Sequence, residues 1–409
     1  MYYLAICIPN YNRLYELERL INKSAQMIVQ NKLEQEVEIC INDDCSPENP
    51  EELIRTLKRH FPKVFIRYEQ NRNNMGMDYN FLQSVLIADS KYCWIVGNDD
   101  VPTDDSLNKV IHQLKAQKDQ VDIMITPFDV YDPNNNIRTT IYPLRKSSKI
   151  IQFYNTENRN EFERLIFNIQ HNSGLFGFLS NTIFKREKWI HYQDNFQDKF
   201  NTIFIQMYMN IQTLVDGAIL EYFPEKIIKN YADDNVNESL ERIGKVLLGL
   251  NDVIEFFFEG ESKKYLLEVI VDNYINATVW ELSEEDMLKK KVIKIASEKN
   301  ELYKKYFVPK SDRKKFFKTN DVILFGAGDF GRKALDELVA CKANVVAVID
   351  SDPMKKGMML GKYCIESRNL LKSIYLSERH FVVVANNIHL KEMIKGLLAE
   401  GIGNIAILT

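Results

Sequence analysis

Four carboxylates stand within seven positions of the stretch KYCWIVGNDDVPTDD, residues 91–105: Asp99, Asp100, Asp104 and Asp105, directly after an aromatic and aliphatic run. Paired acids released from the tip of a buried strand can ligate a hard cation, Mg2+ or Mn2+, through oxygen. A cation seated there can take up the charge of a departing diphosphate. Asp100, with or without Asp99, is the expected metal ligand. Asp104 or Asp105 has a simpler reading, the cap of the helix that begins at SLNKVIHQL.

Three more polar segments share this character: PNYNR (9–13), NDDCS (42–46) and NRNNMGMDYN (71–80). In NDDCS, Asp43 or Asp44 can accept a hydrogen bond from the imide of a nucleotide base. What would bring these segments together is the pattern between them. Short β-branched runs at 3–9, 37–43, 64–70 and 92–97 alternate with amphipathic helical patterns at 14–31, 50–61 and 77–89, the order of βαβ units. Such a sheet is parallel and gathers its loops at the carboxyl ends of the strands, where open α/β sheets bind ligands. The polar segments therefore converge on one crevice.

Further along, SLNKVIHQLKAQ reads as a helix, VDIMITPFDVY as one more strand, GLFGFLSNTIFKREKW (174–189) as a strand pair, and 238–307 as wholly helical.

Taken together, IPNYNR, INDDCS and NMGMDYNFLQSVLIADSKYCWIVGNDD resemble the inverting GT-A glycosyltransferases of family 2, above all the abequosyltransferase-type branch. The likeness spans about residues 3–130 and extends to FLSNTIFKREKW. It implies an α/β catalytic domain, GT-A with a Rossmann-like mixed sheet, over 1–232. It also implies a divalent cation and a nucleotide-sugar donor, a UDP-sugar foremost. Carried over by position, Pro9, Asn10 and Arg13 lie in the first nucleotide-binding loop and Asp43, with Asp44, in the base-contacting turn. Asn74 and Gly76 lie in the loop approaching the nucleotide, Asn98 and Asp99 at the ribose and cation, and Asp100 on the metal. Two positions depart from the family pattern: Asn98 replaces the first acid of an acidic triple, and Asn10 stands where relatives carry threonine. An inverting transfer also needs a general base. The acid pair that relatives supply is absent from HYQDNFQDKFNTIFIQ, leaving Asp198 and Asp194 as candidates. His171 reads as a loop or core histidine and Trp94 as core.

A second constellation lies near the C-terminus. Gly326, Gly328 and Gly331 form G-x-G-x-x-G directly after the strand DVILF and at the opening of a helix, and Asp350 ends the next strand. That context suits a phosphate at a helix N-terminus and an acid for a ribose hydroxyl. The segment resembles small Rossmann-like domains at the start of some sugar acyltransferases and the end of some sugar methyltransferases. Nucleotide binding and a ligand-free scaffold are both open. This domain is expected over 319–409, with a helical segment and basic linker over 233–318.

The bulk numbers bound the rest. A chain of 409 residues suits two or three domains, and 45% hydrophobic with 27% charged residues is a globular balance. A net charge of -4 gives no field that points to nucleic acid. Six cysteines without metal spacing read as free thiols, hence a cytoplasmic protein. No signal peptide or membrane span is expected. Residues 286–318 carry 12 Lys or Arg against four acids, interleaved with Tyr303, Tyr306, Phe307, Phe316 and Phe317. The stretch is either a peripheral contact with an anionic inner leaflet or a solvated helix and linker.

The resulting reading is a metal-assisted, inverting transfer of a sugar from a nucleotide donor to a hydroxyl of a surface polysaccharide or lipid-linked glycan. The alternatives are an inactive or regulatory nucleotide-sugar-binding protein and a sugar nucleotidyltransferase; the latter normally opens with a glycine-rich basic loop, which IPNYNR is not.

Overall fold

The structure, a computed structural model, describes residues 1–132, 135–145, 151–231, 240–274, 290, 297–386 and 390–408. The chain forms two compact units, Met1–Val269 and Ile270–Thr409.

The first unit opens with alternating elements: β1 (Tyr2–Asn10), α1 (Leu14–Gln30), β2 (Val37–Asp43), α2 (Glu51–His60), β3 (Phe65–Gln70), α3 (Met77–Leu86) and β4 (Ser90–Ile95). β1 and β2 are almost entirely buried because both faces are covered, which is why they read as unbroken apolar runs rather than alternating ones. These four strands pair in parallel, in the order β3-β2-β1-β4. Register places Asn10 opposite Asp43 and Pro9 opposite Asn42, so the polar segments do leave the sheet at one level.

Next come β5 (Val101–Pro102), α4 (Ser106–Ala116), β6 (Ile123–Ile125), β7 (Phe128–Tyr131), β8 (Ile137–Ile141), β9 (Gln152–Asn155), α5 (Arg159–Ile166), β10 (Thr182–Lys185), α6 (Arg186–Tyr192), α7 (Ile205–Val215), β11 (Ile219–Tyr222) and β12 (Ile228–Tyr231). β10 runs antiparallel to β4 and β6 and converts the sheet into a mixed one of eight strands, β3-β2-β1-β4-β10-β6-β11-β9. A smaller sheet has the order β5-β12-β7-β8.

Two expectations change here. VDIMITPFDVY is two strands in different sheets, because Pro127 has no N–H for the ladder and the chain crosses over at Thr126–Pro127. GLFGFLSNTIFKREKW is not a strand pair. It is two 3-10 turns, the single strand β10, and then α6. Gly174 and Gly177 permit the winding: a β-carbon at either would lie 2.7 Å from a neighbouring atom. The unit ends in α8 (Leu240–Phe257) and in α9 (Gly260–Tyr274), which crosses the division. The helical expectation for 238–239, 275–289 and 291–296 lies outside the described residues.

The second unit contains α10 (Ser297–Tyr306), α11 (Lys310–Phe316), β13 (Asp321–Phe325), α12 (Asp329–Ala340), β14 (Asn344–Asp350), β15 (Met359–Leu360), β16 (Tyr363–Ser367), α13 (Leu371–Ile374), β17 (His380–Val384), α14 (Leu390–Ala399) and β18 (Ile405–Ile407). Its sheet has the order β15-β16-β14-β13-β17-β18, and all pairs but β15–β16 are parallel. Strand order therefore reverses at β13, between β14 and β17, which is a topological switch point.

Val308 and Phe317 pack into this unit's core, and Arg313 is buried with its guanidinium on the carbonyls of Val308 and Leu408. The unit thus begins before the 318/319 boundary expected from composition. Tyr303, Tyr306 and Phe317 are buried too, so these aromatics of the basic stretch are core rather than a surface edge. Lys304, Lys305, Lys310, Lys314, Lys315 and Lys318 are exposed. Part of that stretch, 286–289 and 291–296, lies outside the described residues. Among the described residues no helix is long and apolar enough to cross a membrane.

Candidate active site

The segment after β4 turns on Gly97, and the amide of Asp100 donates back to the Gly97 carbonyl at 3.0 Å. This turn sends the two acids in different directions. Asp99 is half exposed and its carboxylate meets Arg13 Nη1 at 2.7 Å. Asp100 is 2% exposed; its Oδ2 accepts from Ser180 Oγ at 2.5 Å and its Oδ1 from Asn230 Nδ2 at 2.8 Å. Burial, and next the neighbouring Asp99 charge, push the Asp100 carboxyl up to about 7, while the Ser180 and Asn230 hydrogen bonds and the Arg19 charge pull the other way.

Both carboxylates face the space over Gly97. A β-carbon there would lie 2.9 Å from Asp99 Oδ1 and 3.3 Å from Asp100 Oδ2. Only a residue without a side chain leaves that cradle open. Beside it, Arg19 of α1 donates through Nη2 to the Asp99 carbonyl at 2.9 Å and lies over the Tyr231 ring at 5.6 Å, while its buried Nε has no partner among the described residues.

Asn10 links this tip to the neighbouring strand. It donates to Asp43 Oδ1 at 2.7 Å and accepts from Asn98 Nδ2 at 2.9 Å. Asp43 is fully buried, and its two oxygens also take the Ser46 amide, the Ser46 hydroxyl and Gln70 Nε2. Asp44 accepts the backbone amides of Met75 and Gly76, each at 2.8 Å, together with Asn71 Nδ2. Both acids therefore shape the loops. Gly76, at φ +89, occupies a left-handed conformation suited to glycine, and the Asn74 side chain accepts its amide at 3.0 Å. Asn80 ties α3 to the Asn10 carbonyl at 3.0 Å and accepts from Asn42.

Asp78 has a separate task. Its buried carboxylate accepts the amide of Ile203 at 2.8 Å and that of Ile205 at 3.1 Å, anchoring the loop before α7. Burial raises its pKa, partly offset by those amides and by those of Asn201 and Thr202. The loop lies against the turn at Gly76, since a β-carbon there would lie 3.2 Å from Asn201 Oδ1.

The base candidates sit just before this loop. Asp198 is exposed and ion-paired with Lys199 at 2.7 Å; Asp194 accepts from Gln197 Nε2 at 3.0 Å. Neither hydrogen-bonds to the Asp99–Asp100 cluster. His171 is half buried, accepts the Ser173 amide as a turn cap, and is held down to about 4 by burial. Trp94 is fully buried, its indole N–H on the Ser180 carbonyl at 2.8 Å. The expected capping by Asp104 or Asp105 does not occur: Asp105 stands at the cap of α4 without a side-chain bond, and Asp104 pairs with Lys23 instead.

Sequence reading missed Ser180, Asn230, Arg19 and Asp78. Arg19 and Lys23, four apart on one face of α1, were a legible signal. Ser180 and Asn230 gave none, because they reach Asp100 from 80 and 130 residues away.

Glycosyl transferase family 2, as a family profile, matches residues 5–184. Abequosyltransferase RfbV of Salmonella typhimurium is 31% identical over 258 residues, covering 62% of this chain and 73% of that protein. Among solved structures, TarS of S. aureus in complex with UDP-GlcNAc aligns at 14% identity and a TM-score of 0.49, covering 72% of this chain and 80% of its own. The mannosyltransferase PcManGT from Pyrobaculum calidifontis, in complex with GDP-Man and Mn2+, aligns at 11% identity and a TM-score of 0.46, covering 73% and 75%. The chain belongs to glycosyl transferase family 2. It is a glycosyltransferase of the α/β class, with the mixed sheet of the GT-A type.

Proposed function

We propose that the chain moves a sugar from a nucleoside diphosphate sugar, a UDP-sugar foremost, onto a hydroxyl of a surface polysaccharide or lipid-linked glycan, with inversion at the anomeric carbon. The observation that carries this reading is the cradle over Gly97, where the oxygens of Asp99 and Asp100 converge beside two arginines at the carboxyl ends of the parallel strands of the mixed sheet.

The residues fit a divalent cation. Among the described residues no three or more His, Cys, Asp or Glu side chains group as a metal cage. Mg2+ and Mn2+ do not need one: they are commonly held by one or two carboxylates, with phosphate and water oxygens completing the shell. Asp100, seconded by Asp99, would hold the ion, which when bound supplies charge compensation for the leaving diphosphate.

The chain's own groups do the rest. Among the described residues the Arg13 guanidinium is held by an exposed ion pair with Asp99, worth about 0–1 kcal/mol, so it can turn to a diphosphate at little cost. Arg19, on the Asp99 carbonyl, adds a second positive charge at the same tip. Pro9, Asn10, Asn98, Asn74 and Gly76 form the donor-side walls, and Asp43 and Asp44 hold them in shape. Asp198 and Asp194, which precede the loop fixed by Asp78, are the chain's candidates for accepting the proton of the attacking hydroxyl. The exposed lysines of 304–318 support a reversible contact with an anionic membrane surface.

Release of nucleoside diphosphate from a panel of UDP-, GDP-, CDP- and dTDP-sugars, with and without Mn2+, tests the reading. A donor that turns over only with the cation supports it. No turnover of any donor with a glycan or lipid-linked acceptor would leave a binding protein.

A further inference from the structure

The glycine pattern of the second unit separates into packing and something else. A β-carbon on Gly326, at φ +110, would lie 2.5 Å from the Ala385 carbonyl oxygen, and one on Gly331 would lie 2.1 Å from the Gly326 carbonyl oxygen. Strand and helix could not come together with side chains there, so these two glycines are explained by the fold alone. Gly328 is not. Its φ of -87 suits any residue, and the nearest atom to its absent side chain is Lys355 Nζ, at 3.9 Å. It faces a cleft of about 390 Å³ at the switch point of the sheet, with Lys355 across from it.

Asp350 positions that lysine. Its Oδ1 accepts the Asp352 amide at 2.8 Å, and its Oδ2 accepts the Ala327 amide at 2.7 Å and Lys355 Nζ at 3.1 Å. Three of its roughly four acceptor sites are therefore in use. Its main work is to pin the glycine turn and hold a cation at the mouth of the cleft, rather than to await a ribose. The pair is partly exposed, so Lys355 can turn to a stronger anion without a large loss. The first-turn amides of α12 add donors that a helix cannot satisfy internally, and Phe330 and Met393 supply apolar wall.

We propose that this cleft binds a small phosphate ester, a nucleoside phosphate or a sugar phosphate, with its phosphate between Gly328 and Lys355 and its ring against Phe330 and Met393. The volume lies at the small end of the range for single-ligand sites, about 300–1,000 Å³, which suits one nucleotide better than a dinucleotide. The proposal rests on the second unit and stands or falls apart from the transferase site.

The test uses the full chain carrying Arg13→Ala and Asp100→Ala, which disable the first site, titrated calorimetrically with AMP, UMP, ADP, UDP and glucose 1-phosphate. At least one probe should bind with one-to-one stoichiometry, and the comparison separates nucleoside from sugar phosphates. Adding Lys355→Glu, or separately Gly328→Leu, should weaken that binding at least about tenfold with an unchanged unfolding midpoint. Gly328→Leu serves as the second variant because the space at Gly328 is open and folding tolerates it. If no probe binds at millimolar concentration, or if binding is indifferent to both substitutions, the proposal is overturned.

Discussion

Asp78, at the start of α3, holds the backbone amide of Ile203 at 2.8 Å across 125 residues of sequence. Ile203 has φ +66 and Asn201 φ +76, left-handed backbone that a β-branched residue adopts only under constraint, at about 1–2 kcal/mol. The Asp78 carboxylate supplies that constraint and so holds a strained loop against the turn at Gly76, proposed above as a donor-side wall. Asp78→Asn keeps the size but replaces one accepting oxygen by a donor. We expect sugar transfer to fall about tenfold with the dissociation constant for UDP unchanged. A parallel loss of both, with a lowered unfolding midpoint, would reduce Asp78 to a structural residue.

Ser180 and Asn230 set the state of Asp100. Ser180→Ala removes the hydroxyl on Oδ2, and Asn230→Ala the amide on Oδ1. Each should raise the Mn2+ concentration needed for half-maximal turnover by about 3–10-fold, in line with the loss of one hydrogen bond to a charged group. An unaltered Mn2+ requirement in both variants would show that Asp100 needs no such positioning.

Glu221 is fully buried on β11, where Oε1 accepts from Gln113 and Oε2 has no partner among the described residues. Burial pushes its carboxyl up to about 7, and the Gln113 bond offsets only part of this. Because the folded value is raised above the unfolded one, the folded state binds more protons between about pH 4.5 and 7. Stability therefore falls as pH rises through that window, by at most about 3 kcal/mol. Urea unfolding should show Glu221→Gln more stable than the wild type at pH 8 and the difference vanishing near pH 4.5. Equal stability at pH 8 would contradict it.

The exposed lysines between 304 and 318 should bind vesicles containing phosphatidylglycerol at low salt, with release as ionic strength rises. Since Tyr303, Tyr306 and Phe317 are core, the contact is electrostatic and should be lost by about 0.3 M salt. Flotation that persists at 1 M salt would require apolar insertion, which the buried aromatics do not offer.

The parallel half of the first sheet was legible because β1, β2 and β4 are almost wholly buried and its helices keep a clean apolar stripe; β2 begins and ends where the pattern placed it. The polar loops were legible because each follows a strand whose end was visible. The other half was not. β10 has only four residues and inserts antiparallel between β4 and β6, a pairing fixed by long-range contacts and not by local periodicity. The partners of Asp100 were hidden likewise: a serine within a 3-10 turn and an asparagine on a short strand carry no spacing that points to an acid elsewhere. Burial of Arg313 and Tyr303 inside a lysine-rich run was equally invisible, because composition averages over both faces of a helix.

The most direct test of the account compares nucleoside diphosphate release, with Mn2+ and with EDTA, between the wild type and Asp100→Asn, which keeps the shape of the buried side chain but not its charge. The account predicts Mn2+-dependent turnover in the wild type and a loss of about 100-fold or more in the variant. Equal, EDTA-insensitive turnover in the two proteins would contradict it.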